Sequence, residues 1–369
     1  MRILIAPDKF KESLTASQVA NAIRDGFQSV FRDASFEIVP VADGGEGTSG
    51  IFLDALSGNW VEVDCHDALG RPIKASYAWI SKRSLAVIDM SAASGLWRIA
   101  REVRDPLHST TFGTGELAAD AIRRGAKNLV IGLGGSATND AGVGMATALG
   151  WKFLDSQARP VAPQPAEFER IRKVIAPEVQ ASCEVTGLSD VRNPLLGDSG
   201  ATRIFGPQKG ATTDALITLE KSLAHIVHLC QEQLGNDYSA LSGAGAAGGL
   251  GFGLLTFLQA TIEPGFQAIS RLMELEGKVA ATDLVITGEG RLDTQSLQGK
   301  APGEISRLAQ QYGKPVIGFA GMVEQDLPGF DACIPIANGP LTLDESRLRA
   351  AELLRGAAAR TARLLKTTL

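Results

Sequence analysis

The stretches NLVIGLGGSATND (residues 128–140) and DLVITGEGRLDTQ (residues 283–295) each pass from a short apolar run into glycines flanked by acids. A parallel strand that ends in glycines where a helix begins brings backbone N–H groups and the positive helix end to one point, which favours an anion. Both stretches therefore predict strand, glycine turn and helix in a parallel α/β fold that handles a phosphate-bearing ligand, most simply a nucleotide.

The flanking sequence extends this pattern. RILIAP at the N-terminus reads as a strand, and Thr15 with Gln18 reads as a capping box. Val19, Ile23, Phe27 and Val30 then recur at helical spacing. FEIVPVA is a second strand that leads into DGGEGT and a short helix ending near Gly58, so the opening is a βαβα unit of the doubly wound kind. From Trp60 the pattern changes: WVEVDC, IKASYAWI and LAVIDM are separated by the turns DALGRP and SKRS, as in an antiparallel meander. A helix from Thr212 to about Leu234 places Leu216, Leu219, Leu223, Ile226 and Cys230 on one face, which marks it as core. Strand and helix alternation returns with DLVIT, KPVIGFA and ACIPIA, followed by a helix from about Leu343 to Leu365. The expected organisation is a doubly wound domain of residues 1–57 joined with 283–369, with residues 58–282 inserted as a second α/β domain that opens on the meander. The strand NLVI is not readily assigned to either.

Composition excludes more than it selects. The 369 residues, with 44% hydrophobic residues and 41 glycines, fit a globular α/β chain of about two domains. A net charge of -5 without a basic block gives no reason to expect nucleic acid or an anionic membrane as partner. The N-terminal apolar run is too short for a signal or spanning segment, and the four cysteines Cys65, Cys183, Cys230 and Cys333 have no CxxC spacing. A cytoplasmic protein with a small-molecule partner is the expectation.

In open parallel sheets ligands bind beyond the carboxyl ends of strands, so polar residues just after a strand are the candidates. They are Asp8 and Lys9; Asp43 and Glu46; Ser136, Thr138, Asn139 and Asp140; and Glu289, Arg291 and Asp293. Helix capping accounts for Asp and Ser in such places but has no use for Lys9 or Arg291, whose cations suit phosphate oxygens. Neither QGKAPG nor PQKGAT satisfies the Walker pattern. GPQKGAT sets Lys209 in a glycine-flanked turn before a helix, suited equally to an anion clamp or a plain helix entrance. Gly243-x-Gly245-x-x-Gly248 lacks a preceding strand and is a weak dinucleotide fingerprint. Gly132-x-Gly134-x-x-Ala137, followed by Asp155, is a stronger one and keeps an NAD-dependent oxidoreductase open. Asp190 follows the short strand CEVTGL and stands beside the turn-forming pair Asn193-Pro194. His225 and His228 lack a third ligand for zinc.

At IAPDKFKESLTA, VPVADGGEGT, GTGELA, GLGGSATNDAG, DVRNPLLGDSGATRIFGPQKGA, GAGAAGGLG and TGEGRLDTQSLQGKAPG the chain closely resembles the bacterial glycerate kinase family. The motifs occur in family order over essentially the whole sequence. The resemblance implies a Rossmann-like doubly wound domain with a second α/β domain inserted into it and a cleft between them. It also implies transfer of a phosphoryl group from Mg-ATP to a hydroxyl of D-glycerate, giving 2-phosphoglycerate in much of the family, by a monomer or homodimer. Such chemistry requires a carboxylate to accept the hydroxyl proton, a divalent metal and cations around the phosphoryl group. Asp190 is the first choice for base and Asp140 the second, with Asp8 and Lys9 at the glycerate carboxylate. Gly134, Gly135 and Ser136 are assigned to the γ-phosphate, with Lys209, Lys300 and Arg291 as cations. Gly245, Gly248, Gly288 and Gly290 offer backbone N–H groups, and Asp293 and Glu289 are the metal candidates. A non-catalytic sugar-acid-binding regulator is the remaining alternative.

Overall fold

A computed structural model describes residues 1–41, 47–178, 182–297 and 300–367. The strands of the described residues are β1 (Arg2–Ile5), β2 (Ser35–Ile38), β3 (Asn59–His66), β4 (Pro72–Ile80), β5 (Leu85–Asp89), β6 (Asn128–Gly132), β7 (Lys152–Leu154), β8 (Lys173–Ile175), β9 (Glu184–Leu188), β10 (Thr261–Glu263), β11 (Leu284–Leu292), β12 (Val316–Val323) and β13 (Ala332–Pro335). The chain divides into two compact units, Met1–Asp43 with Phe266–Leu369, and Gly44–Gly265.

The first unit is built on a wholly parallel five-stranded sheet of order β13-β12-β11-β1-β2. Counted within the unit this is the 2-1-3-4-5 order of doubly wound sheets, with its switch point between β1 and β11, where ligands bind in such folds. Its inner strands β1, β11 and β12 are largely buried on both faces, as a parallel sheet with helices packed on it demands, whereas the edge strand β2 alternates exposed and half-buried residues. The helix Ala16–Gln28 starts at the predicted capping box, in which Thr15 accepts from the Gln18 N–H and Gln18 accepts from the Thr15 N–H. Its buried stripe of Val19, Ile23 and Phe27 packs with Leu353, Leu354, Ala357 and Ala358 of the helix Ala350–Lys366 and with Ile3, Ile5, Ile286 and Phe319 of the sheet.

The second unit is built on a six-stranded sheet of order β10-β9-β6-β5-β4-β3, in which β5, β6, β9 and β10 are parallel and β3, β4 and β5 form the anticipated antiparallel meander. The hard-to-place NLVI strand is β6, at the middle of this sheet between β5 and β9. Leu129 and Ile131 join Tyr77, Ile88, Leu117 and Leu250 in one core. A second core gathers Trp151, Phe153, Phe168, Phe252 and Phe257 around the helix Thr213–Leu234, where Leu219, Leu223, Ile226 and Cys230 are buried and Leu216 is half-buried.

The two units meet the chain at other points than residues 57 and 283. The helix Thr48–Leu56 lies in the second unit because its first turn is fastened to β5: Asp89 accepts from the Gly47 and Ser49 N–H groups and from the Ser49 hydroxyl, at 3.0, 3.2 and 2.7 Å. The helix Leu275–Ala281 lies in the first unit, where Thr282 at its end donates to the Arg2 carbonyl.

The two stretches that predicted strand, turn and helix behave differently from that expectation. After β6 no helix opens at once; the chain runs through an irregular loop to a six-residue helix, Val143–Ala148. The second stretch contains no glycine turn, because β11 continues through Gly288, Glu289, Gly290 and Arg291 to Leu292 in parallel register with β12. A Cβ on Gly288 would stand 2.3 Å from the Phe319 carbonyl oxygen, so glycine serves strand packing there.

Candidate functional site

At the carboxyl ends of β1 and β11, the switch point of the first sheet, the structure brings together Asp8, Lys9, Glu289, Gly290, Arg291, Asp293 and Lys300 around a cavity of ≈ 780 Å³. The Asp8 N–H donates to the Gly288 carbonyl at 2.8 Å, which extends the pairing of β1 with β11 beyond Ile5 and holds the Asp8-Lys9 turn against the end of β11. Gly288 itself is buried in the ladder and lines none of this cavity. Strand periodicity places Glu289, Arg291 and Asp293 on one side of the chain. Arg291 contacts Asp293 at 3.4 Å and also pairs with Glu324, while the Lys300 ammonium stands 3.8 Å from Glu289. Asp293 accepts from the Ser296 N–H, which fixes the turn that leads to the helix Ala301–Gln311. Lys300 caps that helix, so its side chain and the positive helix end adjoin. Glu289 and Asp293 are hard oxygen donors beside cations that suit phosphate. That donor set fits magnesium, which is commonly held by one or two carboxylates with phosphate oxygens and waters completing its shell. Asp43 and Glu46 lie outside the described residues.

The second unit has its own cluster, beyond the ends of β5, β6 and β9. The loop after β6 presents Gly134 half-buried and Gly135 exposed, then turns inward at Ser136. Its backbone is held by neighbours, with the Leu96 N–H donating to the Gly135 carbonyl and the Ala137 N–H to the Ser94 carbonyl, at 2.8 and 2.9 Å. Beneath it lies Lys209, only 2% exposed, whose ammonium donates to the Ser136 hydroxyl at 2.8 Å and to the Thr138 carbonyl at 2.7 Å. Burial lowers the Lys209 pKa to about 7, opposed by the charge of Asp140. Lys209 and Ser136 are thus brought together as expected, but Lys209 does not stand at a surface. It places positive charge behind the loop rather than in front of it.

Asp140 is fully buried and accepts from the Thr111 N–H and hydroxyl, the Thr110 hydroxyl, and the Gly142 and Gly144 N–H groups. Burial raises its pKa, while the hydrogen bonds from Thr111, Gly144 and Gly142 oppose the rise. With its oxygens so engaged, Asp140 organises the loop after β6 and caps the backbone at Val143–Ala148; nothing in this geometry offers it a substrate hydroxyl. Asn139 is likewise turned inward, donating to the Thr202 hydroxyl at 3.0 Å.

Gly245 and Gly248 are buried packing glycines. A Cβ on Gly245 would lie 2.2 Å from the Pro194 carbonyl oxygen, and one on Gly248 1.9 Å from the Thr138 carbonyl oxygen. Gly248 also has φ +68° within a left-handed run, Ala247 to Gly249, at the start of the helix Ala246–Leu258. Gly248 lets that run press against the loop after β6, and Gly245 lets it press against the Asn193-Pro194 segment after β9.

Asp190 is exposed at the end of β9, beside the loop after β6, because β9 and β6 are neighbours in register and the Leu133 N–H donates to the Leu188 carbonyl. One carboxylate oxygen of Asp190 accepts from the Gly265 N–H at 3.3 Å, which orients it. Asp89 was missed by sequence reading, although its position as the acid ending the apolar strand LAVID was the available signal. The dinucleotide alternative loses its parts: the glycines after β6 open no helix, and Asp155 sits in a turn, accepting from the Gln157 and Arg159 N–H groups and pairing with the Arg159 side chain. Backbone hydrogen bonds from that turn lower the Asp155 pKa to about 2. His225 faces the Ile171 carbonyl and His228 faces Glu232. Among the described residues no helix is long and apolar enough to cross a membrane.

The sequence signature of the glycerate kinase family matches residues 3–366. A glycerate kinase of Bacillus subtilis (strain 168) is 42% identical, covering 96% of this chain and 95% of its own. A glycerate 2-kinase of Escherichia coli (strain K12) is 42% identical, covering 94% of this chain and 93% of its own. A crystal structure from Salmonella typhimurium LT2, described as a "putative glycerate kinase 2", superposes with a TM-score of 0.92 at 40% identity, covering 100% of this chain and 99% of that one.

Proposed function

Starting from the fact that this chain belongs to the glycerate kinase family and is a kinase, we propose that it transfers the γ-phosphoryl group of ATP to a hydroxyl of D-glycerate, giving 2-phosphoglycerate and ADP. The observation that carries the reading is the ammonium of Lys209 buried directly behind the Gly134–Ser136 turn, with Asp190 exposed at the end of the adjacent strand. A buried cation behind exposed backbone favours an anion in front of it, and preorganised charge of this kind stabilises a phosphoryl group in transfer.

In this proposal the Gly134 and Gly135 backbone and the Ser136 turn face the γ-phosphate, and Lys209 acts through them. The hydroxyl oxygen of glycerate forms the new P–O bond while the bond to the bridging oxygen of ADP breaks. The hydroxyl proton passes to the Asp190 carboxylate. In the first unit the Lys9 ammonium offers a clamp for a carboxylate, and the Asp8 oxygen that accepts from the Lys9 N–H at 2.6 Å shapes that turn. Lys300 and Arg291 bind donor phosphates, with Gly290 leaving the end of β11 open beside them. Glu289 and Asp293 would hold magnesium, which when bound neutralises phosphate charge.

The test is ADP release from ATP with D-glycerate, tartronate and small sugar acids in turn, with phosphorus NMR of the product. ADP release dependent on D-glycerate, with a phosphate ester at the 2-position, is the expected result. ADP release without any hydroxy acid, or an ester at the 3-position only, would overturn respectively the acceptor and the product.

A further inference from the structure

The cavity of the first unit is polarised. At the ends of β1 and β11 it is lined by Lys9, Glu289, Arg291 and Lys300, whereas on the side of β12 and β13 its lining includes Met322 near the end of β12, beside Arg291, Ile336 just after β13, and Leu341 and Leu343 beyond it. Two of those apolar side chains stay open to solvent, Met322 at 54% and Leu343 at 65%. Single exposed apolar residues are ordinary, but a group of them lining one end of a cavity is the mark of a ligand surface. The wall is also held in place. Ser13 donates to the Arg347 carbonyl at 3.0 Å and Glu12 pairs with the Arg347 side chain, which ties the loop after β1 to the helix Leu343–Leu348 on the apolar side.

Size and polarity together select the occupant. A three-carbon acid has charge at one end and no apolar body, so it would fill a small part of ≈ 780 Å³ and leave the apolar wall wet. A cavity of that size suits a ligand of drug or nucleotide dimensions, for which about 300–1,000 Å³ is usual. A nucleoside triphosphate has the matching distribution, with a flat, weakly polar base at one end and concentrated negative charge at the other. Resting on the phosphoryl-donor reading above, we propose that this cavity is the nucleoside subsite. In it the purine of the donor lies against Met322, Ile336, Leu341 and Leu343, and its phosphates extend toward Lys300, Arg291 and the switch point. The apolar end then makes no contact with the acid.

The experiment replaces the two exposed wall residues separately, Met322→Glu and Leu343→Glu, with Met322→Ala and Leu343→Ala as variants that remove wall without adding charge. Each full-length protein is titrated with a fluorescent ADP analogue in the presence of magnesium, and KM is measured for ATP and for D-glycerate. Because both side chains are more than half exposed, folding is expected to survive, and a thermal melt checks it. The glutamate variants are expected to weaken nucleotide binding and raise KM for ATP by about tenfold or more, the alanine variants by less, with KM for glycerate and kcat within about twofold of the parent. A rise in KM for glycerate with nucleotide affinity unchanged, or no change in either, overturns the subsite. If the parent protein binds the analogue and the variants lose it while glycerate supports no turnover, the subsite stands and the acceptor assignment alone fails.

Discussion

At the carboxyl edge of the first sheet, Lys9, Arg291 and Lys300 remain within reach of solvent, and Arg291 and Lys300 pair with carboxylates at distances up to 3.8 Å. Beside β6 in the second sheet, Lys209 and Asp140 are sealed and surrounded by hydrogen bonds near 3 Å. The first arrangement can rearrange around a large ligand at small cost, since exposed ion pairs contribute little to stability. The second is fixed before any ligand arrives, and truncating one of its members leaves buried groups unsatisfied. The comparison predicts that changes in the first edge alter ligand affinity, and that changes behind the second alter stability and rate together.

The largest effect is expected at the exposed member of the second edge. Asp190→Asn keeps the shape and the contact with Gly265 but cannot accept a proton. It should lower kcat by about 10²–10⁴-fold with ATP affinity retained. Near-normal kcat in a steady-state assay would remove Asp190 from the role of base. Next is Asp140→Ala, which strands the N–H groups of Thr111, Gly142 and Gly144 in the interior. A loss of about 3–5 kcal/mol in urea unfolding is expected, and a loss under about 1 kcal/mol would break the contrast between the sealed and open edges.

Smaller effects sharpen the comparison on the open side. Glu289→Gln and Asp293→Asn should each raise the magnesium concentration for half-maximal rate by about tenfold while the melting temperature barely moves, since magnesium sites lean on few carboxylates. An unchanged magnesium requirement would exclude both as ligands. The last of these effects concerns pH. Burial pushes the Lys209 pKa down to about 7 in the folded protein, against 10.5 for an exposed lysine. Between those values the unfolded chain binds the extra proton, so Lys209 makes stability rise with pH across that window, by at most about 1.4 kcal/mol per pH unit. Below pH 7 both forms are protonated and the contribution is flat. Lys209→Met should remove that rise in denaturant titrations from pH 7 to 10; identical slopes in the two proteins would show that the ammonium is not desolvated.

Much of the scaffold was legible because period and local chemistry agreed. The Thr15 and Gln18 capping box, the buried face from Leu219 to Cys230 and the meander from Trp60 all follow from patterns carried by a few adjacent residues. What escaped were the places where glycine has two meanings. GEGRL reads as a turn, yet β12 pairs with it through Leu292, and only the backbone of Phe319, some thirty residues away, shows why Gly288 has no side chain. Gly245 and Gly248 present the same ambiguity, settled by the nearness of Pro194 and Thr138. For the candidate site, the rule that ligands bind beyond strand ends selected Lys9, Ser136, Asp190 and Arg291, and the structure sets each of them at or just beyond a strand's carboxyl end. It also selected Asp140, which burial assigns to the loop, and it passed over Met322 and Leu343 because an apolar side chain carries no sign of being a wall until the cavity beside it is known.

The strand order of the first sheet has a consequence for biosynthesis. β1 leaves the ribosome before Gly44–Gly265 is made, yet its neighbour β11 emerges only after all of that segment has been made. At about 5–20 residues per second that interval is roughly 10–45 s. The second unit is contiguous and can complete its sheet during the wait, so β1, translated before that unit, gains its β11 partner only after the unit's sheet can form.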